Sequence, residues 1–531
     1  MTSPIPAEAD RRRTFAIISH PDAGKTTLTE KLLLYSGAIV EAGAVRARAG
    51  RQRDVTSDWM ELERQRGISV TSTVLQFSHD GLLFNLLDTP GHRDFSEDTY
   101  RVLSAVDSAV IVIDGARGIE SQTLKLFQVA QARGLPLITF VNKMDRPGLA
   151  PLELIDDIEA QLGLTATPIT WPVGGGADFE GVVDRRNGTL WRFERTARGG
   201  RIGGEGHTRF GDLHEDPLQT RAAQELGLLE AVEADHDQKR FLAGESTPVF
   251  FGSALWNFGV RLLLDAVVGL APAPHPRVGS SGDPIPLTAD LSGFIFKIQA
   301  NLDARHRDRI GFMRVCSGRF ERGMSLVNHR TGRSLSTKHA HQVFGRDRET
   351  VDVAYPGDVV GLVNATDLRM GDSLSVDGKA EFPPIPTFAP EHFRVARNLD
   401  TSRDKQFRKG ISQLDDEGVI QVLATAEGGT REPILAAVGQ LQFDVAAYRL
   451  SNEFGAQPRF EPIPYTVARR TDGEGRVALT GRRGVEVATR TDGTILALFT
   501  SLARMEAIRR DRPELTLDPI VGTTTGHDSR H

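Results

Sequence analysis

Cysteine is almost absent. Cys316 is the only one in 531 residues, so no disulfide can form within the chain and a cysteine-rich metal site is excluded. No run of about 18 apolar residues occurs, so no membrane span is expected. The opening MTSPIPAEADRRR has no apolar centre of the kind a secretory signal needs. There is no internal repeat, no serine–histidine–aspartate triad and no second metal-ligand cluster. Lysine is scarce, 10 of 64 basic residues against 54 arginines, a bias that reads as genome composition more than function. The net charge of −6 rules out a uniformly basic nucleic-acid coat, although local patches can hide within it. A soluble, cytoplasmic protein is expected, with no DNA partner and no membrane, and with a monomer as the default.

What is present is ordinary globular composition, 39% hydrophobic and 25% charged. The length allows about three or four domains at roughly 150 residues each. The first 270 residues alternate strand and helix patterns. Thr14–Ser19 is an apolar run ending in a glycine-containing turn, and Lys25–Ser36 has apolar residues at helical spacing, closed by Gly37. Val70–His79 and Leu82–Asp88 flank Asp80-Gly81, a hairpin signal. Ala109–Asp114 and Leu137–Asn142 suit buried parallel strands; helices are expected near Phe95–Val106 and Ile119–Arg133. Thr247–Ala254 resumes the strand pattern, and Trp256–Leu270 reads as a helix. This alternation implies an α/β domain over 1–277, built on a doubly covered, mostly parallel sheet.

Residues 150–245 interrupt it as an inserted subdomain, with 18 acidic and 10 basic residues. A Pro/Gly/Ser-rich linker at 271–286 leads to short strands broken by glycine turns over 287–380, the pattern of a β-barrel. A second proline-rich stretch, Phe382–Pro390, precedes an α+β domain over 391–515, with helices expected at Thr401–Asp415 and Ile434–Phe454. Residues 516–531 read as a flexible tail.

Four short motifs carry the chemistry. Ser19-His20-Pro21-Asp22-Ala23-Gly24-Lys25-Thr26, followed by Thr27, fits the phosphate-loop pattern, with serine at the usual first glycine. Loop N–H groups and the helix N-terminus would cradle phosphates. Lys25 would reach the β and γ oxygens and the Thr26 hydroxyl would ligate Mg²⁺. Asp88-Thr89-Pro90-Gly91 ends a strand, where Asp88 can bind Mg²⁺ through water. Asn142-Lys143-Met144-Asp145 ends another. Asp145 can accept from guanine N1–H and N2–H₂, a donor pair adenine lacks. Asn142 can bond the base edge or brace the loop, and the Lys143 stem can lie over the ring. Ser253-Ala254-Leu255 follows the last strand, with a backbone N–H for guanine O6. Four motifs in order, each at the carboxyl end of a strand, imply a GTP/GDP site.

The order SHPDAGKTT, RGISVTS, DTPGH, NKMD resembles the translational GTPases, and the resemblance implies a Ras-like α/β P-loop GTPase domain with an insertion, then a β-barrel, then an α+β domain. The 107 residues between Asp145 and Ser253 resemble the insertion of elongation factor G and its relatives. The Ser-His-Pro-Asp loop, DWMELERQR before Arg66-Gly67-Ile68-Ser69, and AVGQLQFDVAAYRL over Ala437–Leu450 resemble the peptide chain release factor three branch of that family. That branch has this length and lacks elongation factor G's last two domains. The resemblance implies that His92 orients the attacking water on the ribosome, that Pro21 and Ile68 gate it, and that Asp22 helps hold cations. It places switch one over about Val40–Ser69, with Ser69 or nearby Thr71 as a Mg²⁺ ligand. It also implies a ribosome-stimulated GTPase that ejects stop-codon-reading release factors one and two after peptide release. An elongation or rescue GTPase, and a GTP-regulated ribosome-binding module with little hydrolysis, are the alternatives.

Charge is uneven. Residues 301–350 carry 11 basic against 5 acidic residues, with Arg305, Arg307 and Arg309 as candidate rRNA-backbone contacts. Residues 466–512 hold 10 arginines against 6 acids. Arg46, Arg48, Arg51 and Arg53 read as a solvated basic loop, with rRNA or phosphate contact in the GTP form as the alternative. The acidic insertion should face away from rRNA; in relatives it meets the ribosomal stalk protein. Cys316 lies in an apolar strand pattern and is expected in the core.

Overall fold

The alternating pattern of the first 270 residues builds one seven-stranded sheet. Its strands are β1 (Arg12–Ser19), β2 (Thr73–His79), β3 (Leu82–Asp88), β4 (Ser108–Asp114), β5 (Leu137–Asn142), β6 (Thr165–Pro168) and β7 (Ser246–Phe251). They lie in the order β2-β3-β1-β4-β5-β7-β6, parallel except for the β2–β3 hairpin. The computed structural model describes residues 4–41, 44–45, 72–194, 201–211, 216–300, 309–344, 347–363, 367–385, 387–425 and 429–520. Every residue of β4, β5 and β7 is buried, which is why these strands read as unbroken apolar runs. Helices α1 (Lys25–Tyr35), α2 (Ser96–Ser104), α3 (Ser121–Ala132), α4 (Pro151–Leu162) and α5 (Val260–Leu270) complete the layers. Leu28, Leu32 and Leu33 of α1 and Leu263, Leu264 and Val267 of α5 share a core with Phe15, Ile17, Phe140 and Phe250. The chain passes from β1 to β3 on one side and then to β4 on the other. The loop after β1 therefore stands at a topological switch point, where ligands collect in such sheets.

Two expected boundaries move. The stretch after residue 150 does not leave the sheet at once, since α4 and β6 belong to it. The separate element is a four-stranded antiparallel sheet running from Thr170–Val173 to Glu205–Arg209, followed by the helix Pro217–Ala231 that Asp216 caps through Leu218 N–H. Second, α5 starts at Val260, not near Trp256. Asn257 and Gly259 both have left-handed backbone, with φ of 69° and 74°, so Trp256 sits on the loop before the helix.

The chain divides into two compact units, the second comprising 94–97, 297–309 and 384–531. In the C-terminal part, seven strands form one sheet. The helices Asp404–Asp416 and Leu441–Phe454 pack together through Phe407, Ile411, Leu414, Phe443, Ala446 and Leu450. The expected helix from Ile434 is corrected: Gly429–Ala437 is a strand, because its aliphatic run is buried against both neighbours of the sheet. Arg449, itself buried, pairs with Glu417 at 2.8 Å and Glu453 at 2.7 Å.

In the first unit, the glycine-punctuated segment after residue 290 forms an all-β domain with eight strands in one sheet. Cys316 is buried there as expected, and burial pushes its thiol up to about 11. This domain is fixed to the α/β domain by buried polar contacts. Arg12 Nε donates to Asp358 Oδ2 at 2.8 Å, and Thr14 Oγ1 and Asn85 Nδ2 both donate to Gly357 O, at 2.7 and 3.1 Å. Gly357 has φ 106°, and a Cβ there would lie 2.6 Å from Pro274 Cγ, so no other residue allows this approach. Asp107, just before β4, receives Arg314 Nη2 at 2.5 Å and Arg277 Nη2 at 2.9 Å. Burial alone would push Asp107 up; Arg314 and Arg277 outweigh it and hold its carboxyl below the usual range. Its contribution to stability is therefore complete above the ordinary carboxylate pKa and is lost only as pH falls through the depressed value. Asp107→Ala would leave the buried Arg314 guanidinium without its anion. It should cost about 3–5 kcal/mol, read as a lower denaturant midpoint, whereas a midpoint within error of wild type would contradict this role.

Candidate nucleotide-binding site

The sequence motifs leave the main sheet at the carboxyl ends of parallel strands, β3 beside β1 and β5 beside β7 with β4 between the two pairs: the phosphate loop after β1, Asp88–His92 from β3, Asn142–Asp145 from β5 and Ser253–Leu255 after β7. In the phosphate loop, Asp22 and Gly24 take positive φ, 64° and 97°. A Cβ on Gly24 would lie 2.3 Å from Asn142 Nδ2, so both backbone conformation and space require glycine. α1 begins at Lys25 with no side-chain cap from Gly24, and the N–H groups of such a first turn suit phosphate oxygens. Ser19 and His20 are buried; the Ser19 hydroxyl donates to His20 O at 2.8 Å. Thr26 and Thr27 follow in the first turn of α1, both half-buried.

Asp88 is the next element. Its Oδ1 accepts from Lys25 Nζ at 2.6 Å and from Thr29 Oγ1 at 3.4 Å. Thr89 Oγ1 ties the following loop to Ile17 O at 2.7 Å, and Pro90 O accepts from Thr99 Oγ1 at 3.3 Å. Gly91 faces the phosphate loop: a Cβ there would stand 3.8 Å from Pro21 Cα and 3.9 Å from Lys25 Cε. His92, half-buried, comes directly after this contact. The Thr26 hydroxyl and the Asp88 carboxylate are hard oxygen donors of the kind Mg²⁺ prefers, so the donor set fits the ion. Among the described residues no group of three His, Cys, Asp or Glu gathers as a metal cluster, and a phosphate-bound Mg²⁺ needs none.

Asn142 connects the loops. Its Nδ2 donates to Ala23 O at 2.7 Å, and its Oδ1 accepts Ala254 N–H at 2.8 Å. Of the two roles the sequence left open for it, the structure has the brace, and Ala254 N–H is engaged by that brace. Met144 is buried, with its N–H on Gly252 O at 3.1 Å. Lys143, at φ 68°, extends Nζ to Asp22 O and, at 2.8 Å, to Asp114 Oδ2. Burial pushes Asp114 up, but Lys143 and Ala116 N–H outweigh it and hold its carboxyl low. Asp145 receives Trp256 Nε1–H on Oδ2 at 3.1 Å, while its Oδ1 is enclosed without a hydrogen-bond partner.

Three participants escaped the sequence reading. Asp114 ends an apolar strand as Asp88 does, so its pattern was available. Glu120, whose carboxylate lies 3.6 Å from the buried His20 ring, and Trp256 carry no sequence signal, because their contacts arise from loop geometry. Ile68, Ser69, Thr71, most of switch one, Arg46, Arg48, Arg51, Arg53, Arg305 and Arg307 lie outside the described residues. Arg309 pairs with Asp416 at 2.8 Å within the second unit. No helix among the described residues is long and apolar enough to cross a membrane.

Asn142→Ala would remove both hydrogen bonds of the brace, leaving Ala23 O and Ala254 N–H without it. At about 1–3 kcal/mol for each stranded group, it should weaken GDP binding by tenfold or more in a calorimetric titration. Unchanged affinity would show that the brace does not organise the site.

Residues 10–273 match the elongation factor Tu GTP binding domain, 290–377 match elongation factor G domain 2, and 382–509 match the class II release factor RF3 C-terminal domain. Peptide chain release factor 3 of Synechococcus elongatus is 49% identical over 99% of this chain and 95% of its own length. That of Gloeobacter violaceus is 51% identical over 88% of this chain and 89% of its own. A solved structure from Thermus thermophilus shares the fold, with a TM-score of 0.70 at 24% identity, over 90% of this chain and 72% of that one. The chain belongs to the peptide chain release factor 3 family of GTP-binding translational GTPases.

Proposed function

We propose that the protein is a ribosome-stimulated GTPase of translation termination, whose GTP form dissociates stop-codon-reading release factors one and two after peptide release. One observation carries this reading: nucleotide motifs at the strand ends of one sheet share a chain with a domain matching the class II release factor C-terminal family over 382–509. Asp145 selects guanine through two hydrogen bonds. The first turn of α1 and Lys25 neutralise the phosphates, which requires Lys25 to move its ammonium from Asp88 towards the β and γ oxygens. Thr26, Asp88 through water and Ser69 would hold Mg²⁺, which when bound screens charge between the β- and γ-phosphates. His92, beside the Gly91–Pro21 contact, orients the water that attacks the γ-phosphorus as the bond to the bridging oxygen breaks. Pro21 and Ile68 gate its approach. Loss of the γ-phosphate then relaxes the switches and releases the protein.

The partners in this reading are rRNA, met through basic surface around 301–350 with Arg305 and Arg307 as candidates, the ribosomal stalk protein and the two release factors, in the cytoplasm. Arg309 is the weaker candidate because its guanidinium already pairs with Asp416. A limiting release factor on termination complexes tests the function. With GTP the protein should raise peptide release over many turnovers, GDP should not substitute, and Asp145→Asn should abolish the gain. No gain alongside intact ribosome-stimulated hydrolysis would overturn the termination role and leave the GTPase.

A further inference from the structure

The guanine-reading carboxylate already has a partner inside the protein. Trp256 Nε1–H donates to Asp145 Oδ2 at 3.1 Å, and Asp145 Oδ1 is enclosed by protein without a hydrogen bond. A base that reads Asp145 with N1–H and N2–H₂ needs both oxygens. One carries the indole and the other is covered, so neither is open as the loop stands.

The loop that carries Trp256 is anchored on both sides of its tip. Ser253 and Phe258 exchange two backbone hydrogen bonds, both 2.9 Å. Asn257 Nδ2 donates to Arg201 O at 2.9 Å, and Ala254 N–H is held by Asn142. Between these anchors stand Leu255, 39% exposed, and Trp256, half-buried. A rotation of the indole about its own side-chain torsions frees Asp145 without disturbing the brace that organises the phosphate loop.

We infer that Trp256 gates the base pocket: its indole N–H and guanine compete for Asp145, and the fraction of molecules with the indole turned away sets the apparent affinity for guanine nucleotides. The inference rests on the reading of Asp145 as the guanine acceptor. A binding-competent form populated only in part weakens the apparent affinity by that fraction. Trp256 is thus a positioning residue, and it acts on base binding while leaving the hydrolytic step alone.

The test uses the full chain stripped of nucleotide, with GDP, ADP and xanthosine diphosphate as probes. Trp256→Phe keeps an aromatic ring and removes the N–H. It should bind GDP about tenfold more tightly, the lower end of what losing a hydrogen bond to a charged acceptor implies, with no gain for ADP. Trp256→Leu should shift GDP affinity in the same direction. In the unaltered protein GDP should change tryptophan emission, and Trp256→Phe should lose most of that response; a residue serving only to pack the loop would weaken GDP binding when altered. GDP affinity in both variants equal to or below that of the unaltered chain, with the emission response intact in Trp256→Phe, overturns the gate. Asp145→Asn separates the two levels, because the amide complements the carbonyl of xanthine at C2. A switch from GDP to xanthosine diphosphate upholds the base reading, so failure of the Trp256 variants would then fall on the gate alone. Unaltered GDP binding by Asp145→Asn overturns the base reading and the gate with it.

Discussion

The carboxamide of Asn142 holds the candidate site together. A single planar group, buried at the end of β5, donates to the phosphate loop at Ala23 and accepts from the loop after β7 at Ala254. Because Nδ2 comes so close to the phosphate loop, position 24 has no room for a side chain. One residue therefore sets the spacing between the segment that suits phosphates and the segment that suits the base. An amide does this better than a charged group, since it offers donors and an acceptor in one fixed plane and carries no desolvated charge. Lys143 adds a second tie, joining Asp22 to the end of β4 through Asp114. The loops of the site are thus cross-linked to one another as well as to their strands.

β4 connects this end of the molecule to the other. Asp114 at its carboxyl end pairs with Lys143, while Asp107, just before its first residue, takes Arg314 from the all-β domain and Arg277 from the linker. Both carboxyls are held below their ordinary pKa against the opposing effect of burial. The strand between them is buried at every position. The carboxylates stand only at its two ends, where each has a cationic partner, as buried charge requires. The α/β and all-β domains of the first unit are thereby fixed to each other at the start of β4, while the nucleotide motifs lie at the carboxyl ends of the strands.

Much of this was legible in the sequence, for identifiable reasons. Strands β4, β5 and β7 announce themselves because burial on both faces demands unbroken apolar residues. The motifs announce themselves because phosphate and guanine recognition need particular groups at fixed spacing. The sequence pattern starts helix α5 at Trp256, too early, because its apolar periodicity begins before the left-handed turn at Asn257 and Gly259 lets a helix start. Ile434–Ala437 fits a helix as well as a strand, because a short aliphatic run suits either period, and only pairing with neighbouring strands decides it. The contacts of Trp256, Glu120 and Asp107 were out of reach, since each joins segments far apart in the chain and depends on loop paths that composition does not encode.

In the proposed function, one GTP site hydrolyses its nucleotide through His92 when the ribosome engages it. Single-turnover GTP hydrolysis with and without ribosomes, in the unaltered chain and in His92→Ala, tests it most directly. Ribosomes should accelerate the unaltered chain, and the substitution should lower the stimulated rate by about a hundredfold or more while leaving GDP affinity in place. Equal stimulated rates for the two proteins would contradict the account.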